Sequence, residues 1–305
     1  MLWFTFAYAA DEVCSSWTAS ELVTEVDHIP SEESSALAIT DDGFLTLDDS
    51  DGAAELYAFD IGGNFLKTLT VNGATNTDWE DLAVAACDEG TCVYIGDIGD
   101  NQETRSDLTI WRAPLVDGDT LQAVACTLAY ADGKARDAEA LLVFPDGSVR
   151  VVTKSSGTTE VFHSPSLVCD GTVGTLAEEA ELSLDEPVTG GAVSADGLLV
   201  VLRGATLGWV WRGCLLDWST PPIDLIFVGE EQGEGVAIDD DGTLYSSSEG
   251  AKFELHELPC DAEEALVCDE CGCSAASGGG SAGVGWVWAG MIVGGVAGGR
   301  RRRGA

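Results

Sequence analysis

Five segments of the chain can be laid over one another, and this repetition constrains the fold more than any other feature. They begin at Ser35-Ala-Leu-Ala-Ile, Glu80-Asp-Leu-Ala-Val, Glu139-Ala-Leu-Leu-Val, Gly190-Gly-Ala-Val-Ser and Glu234-Gly-Val-Ala-Ile, about 45 to 59 residues apart. That period is the length of a four-stranded propeller blade. Each start leads into a turn and then a second run: FLTL, VYIG, VVT, VVL and YSSS. Third runs follow as ELYAFD, LTIWRA, TEVFHSP, LGWVWRG and FELHELP. Short Val-, Leu-, Ile- and Thr-rich runs separated by turns such as DDG, PDG and ADG read as strands. Four repeats have a fourth run, for example LKTLTV and DLIFVG, and the fifth lacks one. Residues 21–27 (ELVTEVD) have strand composition and can supply it, which removes the free edges of an open ring. The expectation is an all-β fold, a five-bladed β-propeller closed by an N-terminal outer strand. A six-bladed ring is the alternative, because the second repeat is long enough to hold an extra short blade.

Strands one and two of a blade are antiparallel, so the start of the first and the end of the second lie on one face. The first positions bring Glu80, Glu139 and Glu234 to one mouth of the channel, with Ser35 and Gly190 at the other two places. The second positions bring Asp48, Asp97, Lys154, Arg203 and Glu249. So many carboxylates need raised pKa values, pairing with Lys154 and Arg203, or a hard cation. Calcium takes six to eight oxygen ligands, and Asp97-Ile-Gly-Asp100-Asn101 offers three such side chains around a turn glycine. Asp97 and Asn101 equally suit plain turn capping. The candidate calcium ligands are Glu80, Asp97, Asp100, Asn101, Glu139, Glu234 and Glu249. Glu80, Glu139 and Glu234 are also the candidate catalytic residues. Lys154 and Arg203, on consecutive blades, would hold an anionic substrate or else neutralise Glu139 and Glu234.

The motifs WED (79–81), GDIGDN (96–101), DAEAL (137–141), VTGGAVSADG (188–197) and QGEG (232–235) resemble a group of bacterial phytase-like or lactonase-like propeller proteins. The resemblance spans about residues 31–258. It implies a propeller with a divalent-metal centre in the channel. The chain departs from the phytase-like enzymes in having few bases at the mouth.

Composition narrows the partners. There are 53 Asp plus Glu against 14 Lys plus Arg, net −39, so phosphate backbones are repelled and nucleic acid is excluded as a partner. Ten cysteines without a paired CxxC zinc pattern favour disulfides in an oxidising compartment. Cys87 and Cys92 bracket an acidic turn with the spacing of a bridge across a hairpin. Cys14, Cys126, Cys169, Cys214 and Cys260 are scattered, and their connectivity is not legible. There are three histidines, none at a repeating mouth position, and no G-x-S-x-G elbow within the five repeats.

Both ends read as targeting segments. Residues 1–10 (MLWFTFAYAA) end in a small-x-small pattern and read as a signal peptide. Residues 11–267 then form the propeller ectodomain. Residues 268–282 hold Cys268, Cys271 and Cys273 followed by a Gly/Ser linker, 283–299 form a glycine-rich apolar transmembrane helix, and 300–305 a cytoplasmic Arg tail. That order resembles the MYXO-CTERM type of bacterial sorting tail. The resemblance implies a sorting protease acting near Cys271 or Cys273, with passage from the inner membrane to the cell surface or outside. A plain anchor and a CxxCxC metal knot are the alternatives. Two functions stand open: a surface binding module for a glycan, protein or small anionic ligand, and a calcium-dependent hydrolase of an ester, lactone or phosphoester.

Overall fold

Each Asp-Gly-type hairpin places its glycine at a positive φ: Gly43, Gly90, Gly147, Gly197 and Gly242 lie between 77° and 139°. Only glycine adopts that backbone without strain, so these turns fix where the first strand of each repeat ends. The computed structural model describes residues 11–26, 34–49, 52–230, 232–249, 253–269 and 272–275. All its regular elements are strands. They begin with β1 (Asp11–Trp17) and β2 (Glu21–Glu25). The first repeat folds as β3 (Ala38–Thr40), β4 (Gly43–Leu47), β5 (Glu55–Phe59) and β6 (Phe65–Asn72). The second gives β7 (Trp79–Cys87), β8 (Gly90–Asp97), β9 (Leu108–Pro114), β10 (Thr120–Gln122) and β11 (Val124–Tyr130). The third gives β12 (Ala138–Val143), β13 (Val149–Thr153), β14 (Thr159–Ser164) and β15 (Gly174–Leu182). The fourth gives β16 (Gly190–Val193), β17 (Leu199–Arg203), β18 (Leu207–Arg212) and β19 (Ile223–Ile226). The last gives β20 (Gln232–Ile238), β21 (Leu244–Glu249) and β22 (Glu254–Leu258), before β23 (Cys260–Asp269) and β24 (Gly272–Ala275).

The first strands of the five repeats, β3, β7, β12, β16 and β20, pack against one another in a closed cycle around the channel. Successive strands of each repeat pair antiparallel outward from them, a propeller arrangement. The count of separate blades differs from the sequence expectation. Hydrogen bonding joins the second and third repeats into one eight-stranded sheet, so the ring has four sheets, not five equal ones. The join is the parallel pairing of β11 with β15, Leu128–Tyr130 against Gly174–Leu176. It satisfies an outer edge that would otherwise lie bare, and Gly174 permits the approach because a Cβ there would press on Leu128 Cδ2. β10 likewise adds a parallel fifth strand to the first repeat's sheet, beside β6. β2 pairs antiparallel with β22 and supplies the outer strand of the last repeat.

A separate sheet, β1-β23-β24, joins the two ends of the described chain, and Cys14–Cys260 bonds it covalently. Cys87–Cys92 closes the hairpin between β7 and β8, as its spacing indicated, and Cys126–Cys169 ties the second repeat to the third. Disulfides fit an oxidising, extracellular setting. The expected signal peptide (1–10), Cys271, the apolar stretch 283–299 and the Arg tail lie outside the described residues. Among the described residues there is no helix, and so none long and apolar enough to cross a membrane; the expected C-terminal transmembrane helix lies outside them. Residues 268–269 and 272–275, within the stretch read from sequence as a cysteine motif and linker, are strand: Cys268 pairs with Cys273 across the β23–β24 hairpin.

Apolar layers fill the spaces between neighbouring repeats, for example Tyr94, Ile110, Leu141, Val151 and Phe162 between the second and third. At the centre, Asp81 is fully buried. Its carboxylate accepts N–H bonds from Leu82 and Leu141, each at 2.8 Å, and from Gly191 at 3.3 Å. One side chain therefore links β7, β12 and β16. Burial raises its pKa, and the three amides oppose that rise. Asp81→Ala should leave two inter-strand N–H groups without a partner at a fully buried position and cost about 3 kcal/mol or more, read by urea denaturation.

Candidate active site

The repeated glutamates are the extra residues of β-bulges. The β7–β8 register shifts between Trp79 and Asp81, the β12–β13 register between Ala138 and Ala140, and the β20–β21 register between Gly233 and Val236. Glu80 and Glu139 are the residues left without a cross-strand partner, and Glu234 lies within the third shift. A bulge re-aims the side chain it carries. The fourth repeat keeps its register, Gly190 opposite Arg203 and Gly191 opposite Leu202, and carries no glutamate.

The bulges bring carboxylates together. Oxygens of Asp49, Asp78 and Glu80 lie within 4.8 Å of one another, and so do those of Glu80, Asp137 and Glu139. Glu80 is common to both sets. Glu80 and Glu139 are 3% exposed and Glu234 is 6% exposed. Lys154 Nζ donates to Glu139 Oε1 at 2.7 Å and keeps 38% of its side chain exposed. Burial raises the Glu80 pKa, and the charges of Glu139, Asp49 and Asp78 push it further. Burial and mutual repulsion thus both push this pair toward holding a proton. Burial also raises Glu139, against the pull of Lys154. Burial pushes Glu234 up to about 7 although Gln232 donates to it at 3.0 Å. Asp78 rises to about 6 through burial and then the charges of Asp49 and Asp137. Burial works against the Lys154 ammonium, but Glu139, Glu234 and Glu80 together raise its pKa.

Gly99 lets the 96–101 loop lie against this cluster, since a Cβ there would fall on Glu80 Oε1 and the Asp78 carboxylate. The loop's acids serve the loop. Asp97 pairs with Arg105 at 2.8 Å and accepts from Asp78 N and Trp111 Nε1. Asp100 accepts from Arg105 N at 2.6 Å and from Thr104 Oγ1, and Asn101 is exposed. Neither Asp97 nor Asp100 belongs to either carboxylate set. Glu249 accepts from Gln232 Nε2, which also holds Glu234.

Arg203 does not face a ligand. Its side chain is fully buried, paired with Glu230 at 2.8 Å, and it donates to the carbonyls of Gly204, Ala205, Gly235 and Ser247. It locks the fourth repeat to the bulge of the fifth. Cys271 is outside the described residues, and of Cys273 only its strand pairing is described.

Sequence reading passed over Asp78 and did not single out Asp137 as a ligand. A signal was present: each stands two residues before a bulged glutamate, giving D-x-E at 78–80 and 137–139, with Q-x-E at 232–234.

No protein-family model matches the chain, and no curated protein matches it. Among solved structures, it is similar to a PQQ-bound aldose sugar dehydrogenase from Streptomyces coelicolor, at 13% identity and a TM-score of 0.47. That match covers 83% of this chain and 99% of the other. It is also similar to an aldose sugar dehydrogenase from Escherichia coli, at 12% identity and 0.46, covering 79% and 99%. A gluconolactonase-type protein matches at 12% and 0.43, covering 83% and 95%. The propeller topology rests on the strand pairing itself.

The raised carboxyl pKa values set the sign of the pH dependence. A carboxyl whose folded pKa lies above its unfolded value near 4.5 binds more protons in the native state. Stability is then lost as pH rises from about 4.5 through about 7, the range of Glu234. In chelator, the melting temperature should fall between pH 5 and pH 7.5, and Glu234→Gln should flatten that fall.

Proposed function

We propose that the mouth carrying Glu80, Glu139 and Glu234 holds a divalent cation, calcium by its donor set, in an exported metal-dependent hydrolase of an ester, lactone or phosphoester. The observation that carries this reading is the meeting of two carboxylate triads at buried Glu80, with the Lys154 ammonium bonded to Glu139. The residues fit a hard cation: every donor is a carboxylate oxygen, and Lys154 offsets only part of the charge they would carry together. Asp49, Asp78, Glu80, Asp137 and Glu139 would hold it. A bound calcium ion supplies Lewis-acid polarisation of a substrate carbonyl or phosphoryl oxygen.

Glu234 stands outside both triads, and a pKa near 7 suits a general base at neutral pH. Gln232 orients it through the amide. Lys154, anchored on Glu139 yet part-exposed, can donate to a substrate oxygen. Arg203 is consumed by the fold, so the mouth offers too little positive charge for a polyanion, and an ester or lactone suits it better than a phosphoester. The binding-module reading, placed first on sequence grounds, has no observation of its own to favour it. A buried carboxyl titrating near neutrality favours acid–base chemistry.

Titration with calcium should raise the melting temperature of the full chain and saturate at a stoichiometric level. Glu80→Gln or Glu139→Gln should abolish that rise. Glu234→Gln should keep it and lower turnover of an activated ester or lactone by about 10²–10⁴-fold. Turnover that persists in chelator would overturn the metal reading; calcium binding without turnover of any ester, lactone or phosphoester would return the protein to a binding role.

A further inference from the structure

We propose that the opposite mouth of the channel is a separate binding site, for an aliphatic ammonium compound: a cation carried on an apolar body. The inner strands run from the glutamate mouth to this one. Glu80 to Val84 and Glu139 to Val143 are four residues apart, about 13 Å of strand. At the far end lies a cavity of 830 Å³, within the size range of small-molecule sites. None of Glu80, Glu139, Glu234 or Lys154 lines it, so the two mouths are chemically independent.

The lining selects the ligand by exclusion. Its wall is apolar, with Leu45, Leu82, Val84, Val143, Val193 and Ile238 among its residues. At the rim, Leu66 and Val116 are 47% and 58% exposed, an apolar surface left uncovered. The charged lining residues are six aspartates, Asp41, Asp42, Asp117, Asp239, Asp240 and Asp241, and one base, Lys67. Lys67 Nζ already donates to Gly118 O at 2.9 Å. Among the described residues, the neutral hydrogen-bonding side chains in the lining are those of Thr40 and Thr91. An anion meets a row of carboxylates and is repelled. A sugar can donate hydroxyls to the carboxylates, but its polar body does not fill the apolar wall. A bare metal ion leaves the apolar wall unused. An ammonium head with an aliphatic body satisfies both the rim and the wall.

The test is isothermal titration of the full chain with n-octylammonium, beside n-octanol and octanoate as neutral and anionic probes of equal length. The expected result is one octylammonium bound per chain, at least tenfold tighter than octanol, with no binding of octanoate. Asp42→Asn/Asp240→Asn, two exposed turn residues, should weaken octylammonium at least tenfold with an unchanged melting temperature. Ala195→Trp, an exposed lining position, should weaken it by filling the entrance. Absence of binding would overturn the proposal. So would equal binding of octanol, which would mark an apolar void only. Uptake of many ammonium ions per chain, unaffected by the asparagine variant, would also overturn it as condensation on an acidic surface.

Discussion

Closing strands into a ring leaves each innermost strand with one backbone edge that has no neighbouring strand to pair with. Asp81 answers that constraint. It takes N–H groups from Leu141 and Gly191 and so spans three repeats from the middle one's neighbour. A carboxylate does this better than any other group of its size, because two oxygens can accept from several donors at once. Burial of so polar a side chain is tolerated only because its hydrogen bonds are made. Everything around the channel, including the spacing of Glu80 and Glu139 on the adjacent strands, depends on that packing distance.

The bulges convert a structural repeat into a chemical one. In a regular strand, Glu80 and Glu139 would alternate with their neighbours and be held by cross-strand pairing. The one-residue shift releases them from the ladder and turns them toward each other. Repulsion in the resulting cluster raises the carboxyl pKa values and is partly offset by Lys154. The fourth repeat, with glycines in place of a bulge, contributes closure rather than charge. A Cβ at Gly190 would strike the Glu234 carbonyl, and one at Gly233 would strike the Arg203 guanidinium. These glycines let the fourth and fifth repeats approach closely enough for Arg203 to reach Gly235 and Ser247.

The two mouths differ because the two ends of the inner hairpins differ. One end holds bulges and glutamates facing inward; the other holds Asp-Gly turns whose glycines need positive φ and whose aspartates cap the turn. Acidity at both ends therefore has separate origins, side-chain convergence at one and turn chemistry at the other. That difference is why one mouth buries its carboxyls and the other displays most of them around an apolar cavity.

Much of this was legible in the sequence. The aligned starts located the inner strands, and ELVTEVD was recognisable as a candidate outer strand from its composition and its place before the first repeat. Cys87 and Cys92 declared their bridge by spacing alone. These are local properties: strand propensity, turn chemistry and short-range geometry act over a few residues. Tertiary structure alone decided the parallel union of β11 with β15, the partners of Cys14 and Cys126, and the burial of Arg203. It also decided that Asp97 and Asp100 serve their own loop while Asp78 and Asp137 join Glu80. Each of these outcomes depends on which distant backbones come within hydrogen-bonding distance. A register shift of one residue sets that distance, and residue type alone does not encode it.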